Sequence, residues 1–328
     1  MTTTKEVGIV RDGIPGAAPP GILFPTDFSE HAAAAWLYAV GLAREGGAEL
    51  HVLHVVAPPV LGASPEGVVS LALVDEMPAE AKGVMAQLAA SARTFGVATH
   101  IRTSLGDAAA EIVAYAADQR IGLIVMATTG RTGLAHVLLG SVAERVVRHA
   151  TCPVLTVRYD GEATPVVLTR GTLPQLRRIL VPLDGSELGE AVLPRVVKLA
   201  KRHRADLMLL RVTHAHALRE VDLVDAQIRV VQTAEAYLAG VAGRLAAEGL
   251  DVLPVVRYGE TAEEILDDIW TRRPNLVAMG TNGRTGLTHL VLGSVAERTL
   301  RSSPVPVLLF PTRTLSEAAA ESHEALAV

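Results

Sequence analysis

Two stretches of the chain carry the same glycine-punctuated signature. The first runs from Ala127 through Gly130, Gly133 and Gly140 to Ser141, Glu144 and Arg145, the second from Gly280 through Gly283, Gly286 and Gly293 to Ser294, Glu297 and Arg298. Each follows an apolar run and leads into a helix-patterned segment. Glycine lets backbone approach another group closely, and the first amides of a helix have no intrahelical partner. Together these make a site for an anion, above all a phosphate, at a helix start. An ordinary strand-to-helix connection takes about 2–6 residues, whereas roughly a dozen intervene here in nearly the same order twice.

Other residues around these loops have two readings each. Asp27 and Asp184 stand in matching segments, Pro25-Thr-Asp-Phe-Ser and Pro182-Leu-Asp-Gly-Ser, at the end of an apolar run. Such an Asp either bonds local backbone in a turn or meets a ligand beyond the strand end. Ser141 and Ser294 are followed three residues later by Glu144 and Glu297, the pattern of a capping box that would satisfy the free amides without a ligand. Arg131 and Arg284 could reach phosphates or simply be exposed. His51 and His54, three apart in a strand-like run, should face opposite ways. His214 and His216 fall in a variable loop, and neither pair is assigned a metal. Cys152, the single cysteine, precedes Pro153 in an apolar run and reads as a buried, inert thiol.

These loops need elements to hold them, and the elements repeat with the loops. Asp27 and Asp184 lie 157 positions apart, Gly140 and Gly293 153 apart, a period that means duplicated whole domains. In each unit short Val/Leu-rich runs alternate with Ala-rich helical stretches. Strand one is Ile22–Pro25 or Ile179–Pro182, followed by a helix at about 30–45 or 187–203. Strand two is Glu49–Val55 or Asp206–Val212, with a helix near 76–95 or 223–248. Strand three is Val97–Arg102 or Asp251–Arg257, then a helix over Ala108–Arg120 or Ala262–Arg272. Strand four, Leu123–Met126 or Leu276–Met279, delivers the signature loop, and Val154–Val157 or Val307–Phe310 closes the unit. Strands separated by helices imply right-handed crossovers and a parallel sheet covered on both faces. The expected architecture is α/β: two tandem doubly wound domains, 21–158 and 177–312, with a linker at 159–176 and mobile tails at 1–20 and 313–328.

Composition narrows the function. The 328 residues are 49% hydrophobic with only 3% aromatics, enough for two independent cores. No apolar run approaches the roughly 18–20 residues of a membrane span, and the N-terminus lacks a secretory pattern. The cytoplasm is therefore the expected compartment. A net charge of −5 without a dense basic block argues against nucleic acid as main partner.

These residues resemble the universal stress protein family in its tandem form, over about 21–158 and 177–312. ATP-binding members carry G-x2-G-x9-G-[S/T], which Gly280, Gly283, Gly293 and Ser294 match in full. Gly130, Gly140 and Ser141 match in the first unit, but Ala127 replaces the first glycine. The resemblance implies that these positions hold ribose and phosphates of ATP, with Mg2+, that Asp27 and Asp184 contact the nucleoside end, and that Val55 and Val212 touch adenine. It also implies a five-stranded parallel sheet of order 3-2-1-4-5 in each domain. Pairing through the last strand would make the two domains an intramolecular pseudo-dimer, and a homodimer of the chain is a further expectation. At Ala127 a methyl group stands where backbone and ligand approach and positive φ would be strained, so the second unit is expected to bind ATP more tightly.

The function expected is a nucleotide-dependent stress or signalling regulator with little hydrolysis and no catalytic residue assigned. The chain shows no P-loop lysine and no base beside the glycines. An ATPase or adenylyl-transfer enzyme on the same fold, and a nucleotide-independent interaction module, are the alternatives. A nicotinamide dehydrogenase is disfavoured because no G-x-G-x-x-G follows strand one.

Overall fold

The computed structural model describes residues 20–57, 79–129, 139–159, 173–214, 223–282 and 292–311. The tails, most of the linker, and Gly130, Gly283, Arg131, Arg284 and His216 lie outside the described residues.

The first half runs β1 (Ile22–Pro25), α1 (Glu30–Gly46), β2 (Leu50–Val56), α2 (Ala79–Thr94), β3 (Thr99–Leu105), α3 (Ala108–Asp118), β4 (Leu123–Ala127), α4 (Ser141–His149) and β5 (Val154–Val157). The second half repeats it as β6 (Arg178–Pro182), α5 (Glu187–Glu190), α6 (Leu193–His203), β7 (Asp206–Thr213), α7 (Leu223–Ala247), β8 (Val252–Tyr258), α8 (Thr261–Arg272), β9 (Leu276–Gly280), α9 (Ser294–Ser302) and β10 (Val307–Phe310). The helix expected at 187–203 is broken in two. Pro194 falls in the first turn of α6, where it supplies no amide to a continuing ladder and restricts the residue before it.

Each half has the order 3-2-1-4-5, and the two join into one ten-stranded sheet, β3-β2-β1-β4-β5-β10-β9-β6-β7-β8. Pairing is parallel throughout except at the seam, where β5 and β10 run antiparallel with Leu155 opposite Leu308. The two domains thus form the intramolecular pair. The Thr156 hydroxyl donates across the seam to the Val307 carbonyl at 3.1 Å.

Alternation along the buried strands sends side chains to two core layers. Phe24, Val52, Val125, Leu155, Leu308 and Phe310 join one layer with Trp36 of α1 and Leu238 of α7. Leu23, Leu53, Ile124, Val154 and Leu309 join the other with Ile112 of α3, Val146 of α4 and Leu300 of α9. Both layers run through both halves. The outermost strands are the least covered: Ile101 and Leu105 on β3, and Leu253 and Tyr258 on β8, are exposed. Among the described residues no helix is long and apolar enough to cross a membrane.

Candidate functional site

β1 and β4 are sheet neighbours, yet the chain leaves them toward opposite faces, β1 to α1 and β4 to α4. This is the switch point where open α/β sheets bind ligands beyond the carboxyl ends of their strands. A cavity of about 290 Å³ lies there, lined among others by Thr26, Asp27, Leu53, Val55, Ile112, Ala127, Thr128, Gly140 and Ser141. Of the six positions singled out in the first unit, five therefore meet in one cavity, and Gly130 lies outside the described residues.

Asp27 Oδ1 accepts from the Ser29 amide at 3.0 Å and the Ser29 hydroxyl at 2.6 Å. Ser29 Oγ in turn accepts from the Ala32 amide at 3.2 Å, capping α1. Asp184, Ser186 and the Gly189 amide repeat this arrangement before α5. The local-turn reading of both aspartates is thus realised, and Asp27 is also a cavity wall. The turn needs left-handed backbone at the next residue: Gly185 has φ 77°, and Phe28 occupies the same place at φ 63°. On β2, His54 Nδ1 bonds the Thr26 carbonyl at 2.8 Å. Arg211 on β7 donates to the Leu183 carbonyl at 3.1 Å, so unlike residues brace the same turn in the two halves.

The capping-box reading of Ser141 and Ser294 is corrected. Each is the first residue of its helix, the N-caps are Gly140 and Gly293, and no side chain caps either start. Glu144 pairs instead with Arg148 at 2.7 Å, and Glu297 with Arg301 at 3.0 Å. The cause lies at the loop base. The Gly140 amide donates to the Thr128 carbonyl at 2.7 Å and the Gly293 amide to Thr281 at 2.8 Å. This pins the end of the long loop to its beginning and gives the cap position to glycine. At Gly293 a Cβ would stand 3.2 Å from the Thr281 carbonyl oxygen, so the close approach favours glycine.

Four other helix starts beyond the strand carboxyl ends of the two halves differ. Ser29, Asp107, Ser186 and Glu260 cap α1, α3, α5 and α8 with their side chains. The Arg145 guanidinium, 2.7 Å away, and the Ala110 amide hold the Asp107 carboxyl below the usual carboxylate range. Among these six only α4 and α9 start without a side-chain cap, and α4 does so at the cavity.

The backbone argument about Ala127 is also corrected. Ala127 ends β4 as Gly280 ends β9, and neither has positive φ. Ala127 is part of the cavity wall. In the second half Asp184 follows β6, Val212 lies in β7, and Gly293 and Ser294 open α9, the places their counterparts hold in the first. Thr128 and Thr129 were not singled out in the sequence, although they fall within the signature. Cys152 is 7% exposed, and burial pushes its thiol up to about 12, in keeping with an inert residue.

A fold of two doubly wound units sharing one sheet, each with an uncapped helix start at its switch point, defines a class of tandem doubly wound α/β proteins. The universal stress protein family model matches residues 21–158 and 175–311, and the chain belongs to the universal stress protein family. It is 40% identical over 139 residues to a universal stress protein of Methanocaldococcus jannaschii, covering 42% of this chain and 81% of the relative. It is 27% identical over 311 residues to one of Mycolicibacterium smegmatis, covering 92% of this chain and all of that one. A Mycobacterium bovis relative is 32% identical over 196 residues, which span 61% of its length. The crystal structure of a universal stress protein from Archaeoglobus fulgidus superposes with a TM-score of 0.65 at 24% identity, covering 88% of this chain and 95% of that one.

Proposed function

We propose that the chain binds an adenine nucleotide, ATP with Mg2+, and acts in the cytoplasm as a nucleotide-dependent stress or signalling regulator. The observation that carries this reading is the first turn of α4, bare of a side-chain cap and opening with Ser141 on the cavity between β1 and β4. Free amides and the helix dipole favour a phosphate there. Leu53, Val55 and Ile112 supply an apolar wall suited to a base, so the lining has the usual character of a ligand pocket, mostly apolar with a few placed polar groups. Asp27, Val55, Ala127, Gly130, Gly140 and Ser141 form the first site. Asp184, Val212, Gly280, Gly283, Gly293 and Ser294 form the second. Antiparallel pairing at the seam sets the two sites at opposite ends of the shared sheet, and a homodimer of the chain is the further assembly in this reading.

Hydrolysis is slow in this reading, since no lysine stands among the described cavity residues and the carboxylate there, Asp27, is engaged by the Ser29 amide and hydroxyl. The test is chromatography of what the purified chain releases on denaturation, before and after equilibration with Mg-ATP. ATP recovered in proportion to chain supports the proposal. Recovery of none after equilibration overturns it, and steady production of ADP overturns the regulatory form in favour of an ATPase.

A further inference from the structure

At the opposite end of the sheet from the cavity, Glu49, His51 and His100 bring three ligand atoms within 4.8 Å of one another. Glu49 immediately precedes β2 and lies two residues before His51, so both point to one face of the sheet. His100 is the register partner of His51 on β3 and stands beside it, ring centroids 4.9 Å apart. The His100 Nε2 is 3.0 Å from Glu49 Oε2. Val55, on the cavity wall, is four residues further along β2, roughly 13 Å at strand rise. This cluster is separate from the nucleotide site.

We infer that Glu49, His51 and His100 form a binding site for a divalent transition-metal cation of the Zn2+ type. Two imidazoles and a carboxylate are a ligand set such ions take, with a fourth position left to water. His51 is 8% exposed, and its Nδ1 is held at 2.9 Å by the Tyr115 hydroxyl of α3. With Nδ1–H donating to the Tyr115 hydroxyl, which can accept it, this bond orients the ring and leaves Nε2 for the ion. Space beside Nε2 depends on Gly21, where a Cβ would lie 2.8 Å from that atom. Tetrahedral ligation separates donor atoms by about 3.3 Å, so the cluster must close slightly. His100 and Glu49 have side chains 54% and 58% exposed and can turn inward.

The second half supplies an internal comparison. By register and order Met208 matches His51, Leu253 matches His100 and Asp268 matches Tyr115. Arg178 stands where the first half has Gly21. The two histidines, the orienting tyrosine and the glycine are absent there together, so the fold itself does not require them, and they constitute a unit particular to the first half.

The test is titration of the full-length, tag-free, nucleotide-free chain with Zn2+ against a chromophoric chelator, alongside Glu49→Gln, His100→Ala and His51→Met. His51→Met installs the residue the second half uses, and Glu49 and His100 are exposed enough for their variants to fold whatever His51→Met does. The expected result is one equivalent bound by the unaltered chain. Each variant should weaken it at least about tenfold, the loss that removing even an outer-shell partner brings, while His203→Gln leaves it unchanged. Co2+ in place of Zn2+ should give the strong visible absorption of a tetrahedral site. No stoichiometric binding, or binding that Glu49→Gln and His100→Ala leave intact, overturns the inference.

Discussion

Ser141 and Ser294 stand at the first turns of α4 and α9, and their hydroxyls are not the caps that S-x-x-E spacing suggests. The difference is measurable. Removing a cap destabilises a protein by about 1 kcal/mol, whereas removing a hydrogen bond to a charged ligand affects binding by about 1.5–3 kcal/mol. Ser141→Ala and Ser294→Ala should therefore weaken Mg-ATP binding in their own halves by roughly tenfold or more while leaving the melting temperature almost unmoved. Calorimetric titration and thermal unfolding of the same variants check both parts. Loss of stability with unchanged affinity would return these serines to a structural role. At this scale residue types were legible but their partners were not. Glu144 and Ser141 have the spacing of a reciprocal cap, and nothing local announces that the Gly140 amide bonds the Thr128 carbonyl and moves the cap by one position. Glu49 and His51 share a strand face by spacing alone, but His100 joins them only through the β2–β3 register.

The elements were easier to read, because buried strands in a parallel sheet are short apolar runs on both faces. Val154–Val157 and Val307–Phe310 are strands with the bounds the sequence suggests, while β3 begins and ends later than Val97–Arg102. As an edge strand, β3 is largely exposed and leaves little hydrophobic signal at its ends. The break between α5 and α6 follows from Pro194, which the apolar Val/Leu spacing around it concealed. The turn after β6 offers a direct test of local backbone. Gly185 is exposed with φ 77°, and an L side chain in left-handed backbone is disfavoured by roughly 1–2 kcal/mol. Gly185→Ala should lower unfolding free energy by about that amount in denaturant titration. A neutral result would mean that the Asp184–Ser186 hydrogen bonds absorb the strain, as they must at Phe28.

At the scale of the molecule, the two halves behave as one body because β5 and β10 pair and both core layers cross the seam. Duplication was plain in the sequence, but joining of two five-stranded sheets into ten strands depends on a contact between distant segments. His203 of α6 reaches across to Glu45 of α1 at 2.9 Å, its side chain only 5% exposed. Burial holds its imidazole below the ordinary histidine range, outweighing the nearby Glu45 carboxylate. As pH falls, the unfolded chain takes up this proton first. The contribution to stability is thus complete above the unfolded pKa of about 6.5 and is lost as pH drops below it toward the folded value. Denaturation midpoints should fall between about pH 7 and 5, and His203→Gln should reduce that slope. An unchanged slope would place the pH dependence elsewhere. The central claim is that bare amides at the starts of α4 and α9 grip a phosphate group. Gly140→Asp together with Gly293→Asp would put a capping carboxylate on those amides, in backbone that already has N-cap geometry, with the Thr281 carbonyl shifting by a few tenths of an ångström to admit the new Cβ at residue 293. Calorimetric titration of this folded double variant with Mg-ATP is the most direct test: the account requires binding to vanish, and affinity equal to the unaltered chain would contradict it.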